Sequence, residues 1–405
     1  MTATDRYSVL TRVGKGTPMG KYMRFFWHPV AASIDLIKDD PKPIRLLGEK
    51  LVLFRTGAGE LGLAEERCAH RGASLACGMI EEHGIRCSYH GWKYDLEGRC
   101  LETPAERPES KLKDRIRIAA YPVQELGGLI WAYLGERPEP LLPRFEYLVG
   151  DQYDHDVTVS MMPCNWLQIA ENNVDPHHVE YLHMMYTNYR FERQGKPRVQ
   201  MKHHAKVDFD VFEHGIMKRR LWEGDSEDSE EWRVGHPQIW PGTLLVTYPN
   251  GALQAQIRVP QDDTDTVIYW YNCRPRPAGQ ARQKQVPVKE NPFLDAEGRF
   301  LRDNLNGQDM MVMLSQGEIA DRGAESLGES DRGVVIYRRF LLSQIERIER
   351  GEEPMGVVRD PAVNMPFIKL PIETHVGYSL AGVEAAPGEK WEGMSVQVPS
   401  LVRAT

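Results

Sequence analysis

The chain is poor in cysteine and lacks long apolar runs. Its 405 residues include six scattered cysteines, at positions 68, 77, 87, 100, 164 and 273, which are too few for a disulfide scaffold, so a reducing cytoplasm is expected. No apolar run approaches the roughly 18 residues of a membrane span, and the start of the chain has no charged-then-apolar signal pattern. We therefore expect a protein that does not enter a membrane.

An excess of positive charge is also absent. The chain has 50 lysines and arginines against 58 aspartates and glutamates, which gives a net charge of −8. This balance argues against binding to nucleic acids or to an anionic membrane surface. The length and the 41% hydrophobic content suffice to bury two ordinary cores, so two domains are expected.

Motifs that accept electrons from a nicotinamide are missing as well. Gly14, Gly16 and Gly20 have spacings of two and four, which is not the dinucleotide fingerprint, and no strand–turn–helix unit surrounds them. The four-cysteine spacing of plant-type ferredoxins is not present either. Any redox chemistry of this chain therefore needs a separate source of electrons.

Two short cysteine–histidine motifs are present. Cys68-Ala-His70 is followed, after sixteen residues, by Cys87-Ser-Tyr-His90, and a glycine follows each motif closely. Two thiolates and two imidazoles suit a [2Fe–2S] cluster in which histidines replace two cysteines on one iron. A structural zinc site is the alternative, but its paired ligands usually have two to four residues between them, whereas Cys68 and His70 have one.

A second constellation lies between residues 171 and 183. His178 and His183, with a carboxylate nearby, suit a mononuclear Fe(II) that activates oxygen. On an ideal α-helix, residues five apart point about 140° away from each other, so the helix must be distorted or must end between them. Asp175 precedes His178 by three residues and is placed to hydrogen-bond an imidazole.

The two motifs together resemble those of bacterial Rieske non-haem iron oxygenases. The resemblance implies that Cys68 and Cys87 bind one iron of the [2Fe–2S] cluster and that His70 and His90 bind the other. Cysteines that would form a disulfide beside the cluster, as in respiratory Rieske proteins, are not found in these loops.

The resemblance also implies roles around the second motif. His178 and His183 would bind the mononuclear iron, and Asp175 would link an iron-bound histidine to His90 of a neighbouring subunit. The third iron ligand should be an acid far downstream, and its candidates are Asp303, Asp309, Glu318 and Asp321. Family members carry this ligand at the start of a helix that continues into apolar residues, which favours Asp309.

We expect an α+β fold: an N-terminal all-β Rieske [2Fe-2S] domain followed by a helix-grip catalytic domain, an antiparallel sheet with helices. The proline-rich stretch 136–143 predicts the boundary. The predicted division is residues 1–43 as a segment packed on the catalytic domain, 44–143 as the Rieske domain, 144–350 as the catalytic domain and 351–405 as a C-terminal extension. Helices are predicted at 165–185, with an interruption, at 293–320 and at 334–349, and strands between about 200 and 273.

Three further segments, Gly16-Thr-Pro-Met-Gly20, His90-Gly91-Trp92-Lys93-Tyr94-Asp95 and Pro104-Ala-Glu106, extend the resemblance. With them, nearly the whole chain resembles the phthalate dioxygenase-like branch, whose oxygenases consist of α subunits alone. Within that branch it looks most like enzymes that O-demethylate lignin-derived methoxylated aromatic acids, such as dehydrodivanillate. The resemblance implies O2, a small aromatic acid, a separate NAD(P)H-dependent reductase with flavin and ferredoxin-type centres, and a homotrimer. Ring cis-dihydroxylation of a phthalate- or benzoate-like acid is the alternative, and a non-catalytic metal-binding or electron-transfer protein is a remote one.

Three arginines on predicted strands, Arg219, Arg220 and Arg258, have the chemistry to clamp a substrate carboxylate. Charged side chains on strands are usually solvated, however. We therefore expect all three to lie at the surface.

Overall fold

The computed structural model describes residues 3–36, 40–248 and 250–373. Most of the predicted extension 351–405, from residue 374 onwards, lies outside the described residues. Among the described residues, no helix is long and apolar enough to cross a membrane.

The N-terminal segment forms two helices and a strand: α1 (Ala3–Thr11), α2 (Pro18–Met23) and β1 (His28–Ala32). α2 begins at Pro18, which suits the first helical position, and the Thr17 hydroxyl caps the helix by accepting a hydrogen bond from the Gly20 amide.

The region that follows is made of short antiparallel strands. They are β2 (Lys42–Leu46), β3 (Glu49–Arg55), β4 (Leu61–Glu65), β5 (Met79–Glu81), β6 (Gly84–Arg86), β7 (Lys93–Tyr94), β8 (Cys100–Glu102), β9 (Val123–Leu126) and β10 (Leu129–Ala132). β2–β3–β4 and β5–β6–β7–β8 form two sheets, and β1 pairs with β10 in a third, of order β1–β10–β9. A small separate core, which includes Phe54, Leu75, Ile85 and Tyr94, supports the two cysteine–histidine loops.

The remainder is built on one eight-stranded sheet of order β12–β13–β14–β15–β16–β17–β11–β18. Its strands are β11 (Tyr153–Met162), β12 (His204–Phe212), β13 (Gly215–Trp222), β14 (His236–Ile239), β15 (Thr243–Thr247), β16 (Leu253–Pro260), β17 (Thr266–Pro275) and β18 (Val288–Glu290). All neighbours are antiparallel except β11 and β18. This architecture confirms the predicted α+β fold, with an all-β unit followed by a sheet-and-helix unit.

Helices precede, interrupt and follow this sheet. They are α3 (Glu146–Val149), α4 (Trp166–Asn172), a π-helix (Val179–Tyr186), α5 (Thr187–Arg193), α6 (Glu230–Arg233), α7 (Leu305–Ser315), α8 (Arg332–Glu349) and α9 (Pro361–Asn364). The predicted interruption within 165–185 is confirmed, at residues 173–178.

The predicted helix 293–320 is wrong over much of its length, because α7 spans only Leu305–Ser315. Asp295 caps a turn closed by Gly298 and Arg299, and this turn occupies the first part of the predicted helix. The helix instead begins after Asn304, whose side chain accepts a hydrogen bond from the Gly307 amide.

The units share their largest core. α1 and α2 pack on α8, and one continuous apolar cluster includes Leu10, Trp131, Leu245 and Leu341. The cysteine–histidine loops stand apart on their own small core, while the π-helix and α7 lie in contact.

Candidate metal centres

The two cysteine–histidine loops have the same backbone design. In each, the cysteine carbonyl accepts a hydrogen bond from the amide of a glycine four residues on, Gly72 for Cys68 and Gly91 for Cys87, at 2.9 and 3.0 Å. Both glycines have left-handed φ angles, 73° and 74°, which other residues adopt only at a cost. The loops are thus two matching tight turns that present their ligand side chains in the same way.

These turns bring the four side chains together in an ordered way. The Cys68 and Cys87 thiols are buried and each influences the other electrostatically, and the Tyr94 hydroxyl lies 3.2 Å from the Cys68 sulfur. His70 is exposed, and its ring lies 4.4 Å from that of His90, centroid to centroid. Buried thiols with imidazoles on the solvent side fit a cluster whose outer iron is carried by histidine.

His178, His183 and Asp309 form the second centre. The Asp309 Oδ1 atom lies 3.2 Å from His183 Nε2 and 3.7 Å from His178 Nε2. Asp309 Oδ1 is buried and has no hydrogen-bond partner among the described residues. Two imidazole nitrogens and one carboxylate oxygen around a common point are a donor set that Fe(II) accepts.

The π-helix explains how histidines five residues apart reach one carboxylate. Its i→i+5 hydrogen bonding replaces the α-helical register that would have turned the two rings apart, and the rings lie 5.1 Å apart between centroids. The distortion that the histidine spacing requires is therefore present, immediately after His178, which caps the π-helix.

The Nδ1 atoms of the two histidines face hydrogen-bond acceptors, which hold the ring proton at Nδ1. His178 Nδ1 donates to the Asp175 backbone carbonyl at 2.5 Å, and His183 Nδ1 donates to the Gln308 side-chain oxygen at 2.9 Å. With Nδ1 protonated, each Nε2 carries a lone pair directed at the common point. Sequence reasoning missed Gln308, although it directly precedes Asp309.

The charges of the three groups are coupled. Burial alone would raise the pKa of Asp309, but His183, His178 and Arg258 outweigh it and lower that pKa. Burial lowers the pKa of His178, whereas Asp309 overcomes burial and raises the pKa of His183. Asp309 is thus a carboxylate at neutral pH, as a metal ligand must be.

Asp175 lies beside this centre but not within it. Its side-chain Oδ1 accepts the His177 amide at 2.9 Å, and its Oδ2 is 3.8 Å from His178 Nδ1. Asp303, the next candidate acid, instead pairs with Arg190 at 2.5 Å.

A buried ion-pair network holds the segment in front of the iron motif. Glu171, at the end of α4, pairs with Arg322 at 2.8 Å and with Arg338 of α8 at 2.6 Å. Arg338 also pairs with Glu325. No spacing rule reveals these partners, because they lie more than 150 residues away from Glu171.

The expectation of surface arginines is wrong for two of the three. Arg219 is part-exposed and pairs with Asp210, but Arg220 and Arg258 are buried. Arg258 donates to the backbone and side-chain oxygens of Gln256 at 2.7 Å. Its Nε has no hydrogen-bond partner, and no carboxylate forms an ion pair with it in the described part of the chain. Burial lowers the pKa of Arg258 to about 9, although Asp309 works in the opposite direction.

Two matched turns with buried thiols, together with a buried His–His–carboxylate centre on a helix-and-sheet unit, define an oxygenase with a Rieske cluster and a mononuclear non-haem iron. Comparison with known proteins agrees. A sequence model of the Rieske [2Fe-2S] domain matches residues 26–122, and one described as LigXa C-terminal domain like matches residues 293–370.

Full-length relatives extend the comparison. The chain is 39% identical to the 5,5'-dehydrodivanillate O-demethylase oxygenase subunit of Sphingobium sp. (strain NBRC 103272 / SYK-6), over 90% of this chain and 85% of that protein. It is 32% identical to the 3-chlorobenzoate-3,4-dioxygenase oxygenase subunit of Comamonas testosteroni, over 88% and 92%. Pseudomonas putida CBB5 NdmA shares the fold, with a TM-score of 0.60 and 23% identity over 81% of this chain and 92% of that one.

The chain therefore belongs to the Rieske non-haem iron oxygenases, in their phthalate dioxygenase-like branch. It is an oxidoreductase that uses a [2Fe–2S] cluster and a mononuclear iron.

Proposed function

We propose that this protein is the oxygenase component that O-demethylates a methoxylated aromatic acid. Two observations carry the proposal together: the His178–His183–Asp309 centre, and Arg258, a buried cation that forms no ion pair with a carboxylate of the described residues. The 39% identical relative, named as an O-demethylase oxygenase subunit, supports the choice of reaction.

We assign the ligands as follows. Cys68, Cys87, His70 and His90 hold the cluster, and His178, His183 and Asp309 hold the iron. The bound groups supply electron transfer and oxygen activation. The protein's own part is to hold the lone pairs at Nε2, which the Asp175 carbonyl and Gln308 do by accepting the Nδ1 protons.

Arg258 supports an acid as the substrate. A buried guanidinium without a carboxylate is costly, and the charge of Asp309 favours the cationic form of Arg258 by raising its pKa against the effect of burial. A substrate carboxylate would supply the missing charge and hydrogen-bond acceptors. The aromatic ring of the substrate would then be held at its carboxylate end. Such an anchor uses binding energy to orient the reacting group.

The overall reaction balances with the partners that we propose. One O2, two electrons and two protons convert the aryl methyl ether to the phenol, formaldehyde and water, because the hydroxylated methoxy carbon is a hemiacetal whose carbon–oxygen bond breaks. The electrons come from a separate NAD(P)H-dependent reductase with flavin and ferredoxin-type centres. A structural neighbour is the oxygenase and ferredoxin complex of carbazole 1,9a-dioxygenase, which supports a separate electron donor.

We further propose a homotrimer in which His90 of one subunit meets Asp175 of the next. Large side chains are exposed near both centres: Tyr89 next to His90, and Tyr181, Met185 and Tyr189 at four-residue intervals from the π-helix into α5. Exposed apolar groups of this size are suited to burial in an interface, and a head-to-tail contact closes into a ring when its rotation permits.

We propose the division into residues 1–43, 44–143, 144–350 and 351–405 as the working domain map. The packing of α1 and α2 on α8 supports an N-terminal segment docked on the catalytic unit. Part of this segment also belongs to the Rieske unit, because β1 (residues 28–32) pairs with β10 and completes one of its sheets.

Reconstitution with a reductase tests the function. Methoxylated aromatic acids and their unmethoxylated counterparts are incubated with the enzyme, O2 and NAD(P)H, and formaldehyde and cis-diol are both assayed. We expect one formaldehyde for each methoxylated acid consumed. Formation of a cis-diol without formaldehyde would contradict O-demethylation. It would show instead that the enzyme dihydroxylates the ring, in line with the relatives that are named as dioxygenases.

A further inference from the structure

A second group of metal-ligand side chains lies beside the iron motif. The Glu180 carboxylate, at the start of the π-helix, faces three imidazoles. Its Oε1 lies 2.5 Å from His204 Nδ1 and 3.4 Å from His177 Nδ1, and its Oε2 lies 2.7 Å from His203 Nδ1. Three nitrogens of the same kind thus converge on one carboxylate.

The geometry matches that of the iron centre in the same chain. The ligand atoms of His177, Glu180 and His204 all lie within 4.8 Å of one another, as do those of His178, His183 and Asp309. Imidazole and carboxylate together are ligands that Zn²⁺ accepts in a tetrahedral arrangement. His203 contacts the other oxygen of the Glu180 carboxylate and lies outside this group, so its half-exposed side chain would have to shift to supply a fourth ligand.

The charge balance also favours a cation. Glu180 is buried, and in the described ranges its ion-pair partners are imidazoles, not lysine or arginine. Burial lowers the pKa of His204 to about 4, so that ring is neutral at physiological pH. His204 Nε2 has no partner among the described residues, whereas Nδ1 donates its proton to the Glu180 carboxylate. A metal ion at Nδ1 would take the place of that proton.

An ion has a route to these groups from solvent. The side chains of His203 and His177 are 49% and 34% exposed, whereas those of Glu180 and His204 are buried. His204 is the first residue of β12 and His203 directly precedes it. His177 and Glu180 lie on either side of the iron-motif residue His178 in the chain. An ion held by all four would tie the sheet to the segment that carries the iron ligands.

We propose that His177, Glu180, His203 and His204 form a second, structural metal site, which binds Zn²⁺ and which is separate from the proposed function. The test uses the holoenzyme with its full content of iron and sulfide. The protein is equilibrated with zinc chloride, passed over a desalting column and analysed for zinc and iron, and its thermal unfolding is recorded with and without zinc. We expect one zinc per chain, retained iron, and a higher Tm with zinc.

Variants locate the site. His203→Ala removes a half-exposed ligand without disturbing the core, and Glu180→Gln keeps the shape but removes the charge. Each should weaken zinc binding roughly tenfold or more, since even indirect metal partners have effects of that size. His83→Ala, at an exposed histidine outside the cluster, is the matched control and should bind zinc as the wild type does.

The iron centre is controlled separately. Asp309→Ala should lose iron yet still bind the additional zinc. The proposal is overturned if zinc replaces iron one for one, if Asp309→Ala abolishes zinc binding, if His203→Ala binds zinc as tightly as the wild type, or if no zinc is retained. These outcomes do not depend on which substrate is oxidised.

Discussion

His178 and His183 direct their Nε2 atoms at the same Asp309 oxygen, at 3.7 and 3.2 Å, although they are five positions apart in the chain. An unbroken α-helix would point them about 140° apart. The π-helix removes this conflict, and such helices are rare except at functional sites. A local backbone irregularity therefore creates the pair of imidazoles on which the centre depends.

The two centres should be separable by substitution. His178→Ala or Asp309→Ala is expected to abolish turnover and mononuclear iron while the Rieske absorption remains, because the cluster loops rest on their own core. Cys68→Ala should abolish that absorption. Metal analysis and visible spectra of the purified variants provide the measurement. Full iron and activity in Asp309→Ala would show that another acid, with Asp303 the next candidate, is the ligand.

Gln308 should matter to iron affinity through His183. Gln308→Leu removes the acceptor of the His183 Nδ1 proton, so iron affinity should fall roughly 10- to 100-fold, as measured by competition with a chelator. Gln168→Leu is the matched control, since Gln168 is a buried amide that bonds to backbone groups near residues 313–320 and to no imidazole. Equal losses of affinity in the two variants would mean that the effect is only structural.

Asp175 is expected to act between subunits. Asp175→Asn keeps the oxygen that accepts the His177 amide but removes the negative charge that orients the histidines. The variant should retain both metals and its oligomeric state, bind substrate and turn over very slowly. Single-turnover reoxidation of the cluster is the measurement, and a wild-type rate there, or a fully active monomer, would refute the scheme.

Arg258 should determine recognition of the acid. Arg258→Gln is expected to raise KM for aromatic acids much more than it lowers kcat, because it removes a charge-assisted contact worth roughly 1.5–3 kcal/mol. The KM for the methyl ester of the same substrate should change little, because the ester has no carboxylate to bind. Arg219→Gln is the control, because Arg219 is part-exposed and already pairs with Asp210. An equal effect on acid and ester would contradict a role in carboxylate binding.

The buried ion pairs of Glu171 should be important for stability. Glu171→Gln leaves Arg322 without its carboxylate partner, and breaking a buried pair in this way costs about 3–5 kcal/mol. Asp303→Asn breaks a part-exposed pair with Arg190 and should cost about 1 kcal/mol or less. Denaturant unfolding of both variants gives the comparison, and similar small losses would show that the Glu171 network adds little.

Much of the fold followed from local pattern. The sequence analysis predicted an all-β unit followed by a unit with strands between about 200 and 273, and the structure has both. The helix expected at 293–320 was too long, because the turn that Asp295 caps occupies its first part. A helix boundary depends on caps and turns that compete with periodicity, and here the turn prevailed.

The sequence by itself determined the chemistry of the two motifs, because ligand type and close spacing are local properties. Only the tertiary structure decided which distant acid faces the histidines, since Asp309 reaches them through the packing of α7 on the π-helix, across 125 residues in the case of Gln308 and His183. It likewise decided that Arg258 is buried and Arg219 is not, although both lie on strands. Burial and long-range contact depend on how the elements pack, and spacing along the chain carries no record of that packing.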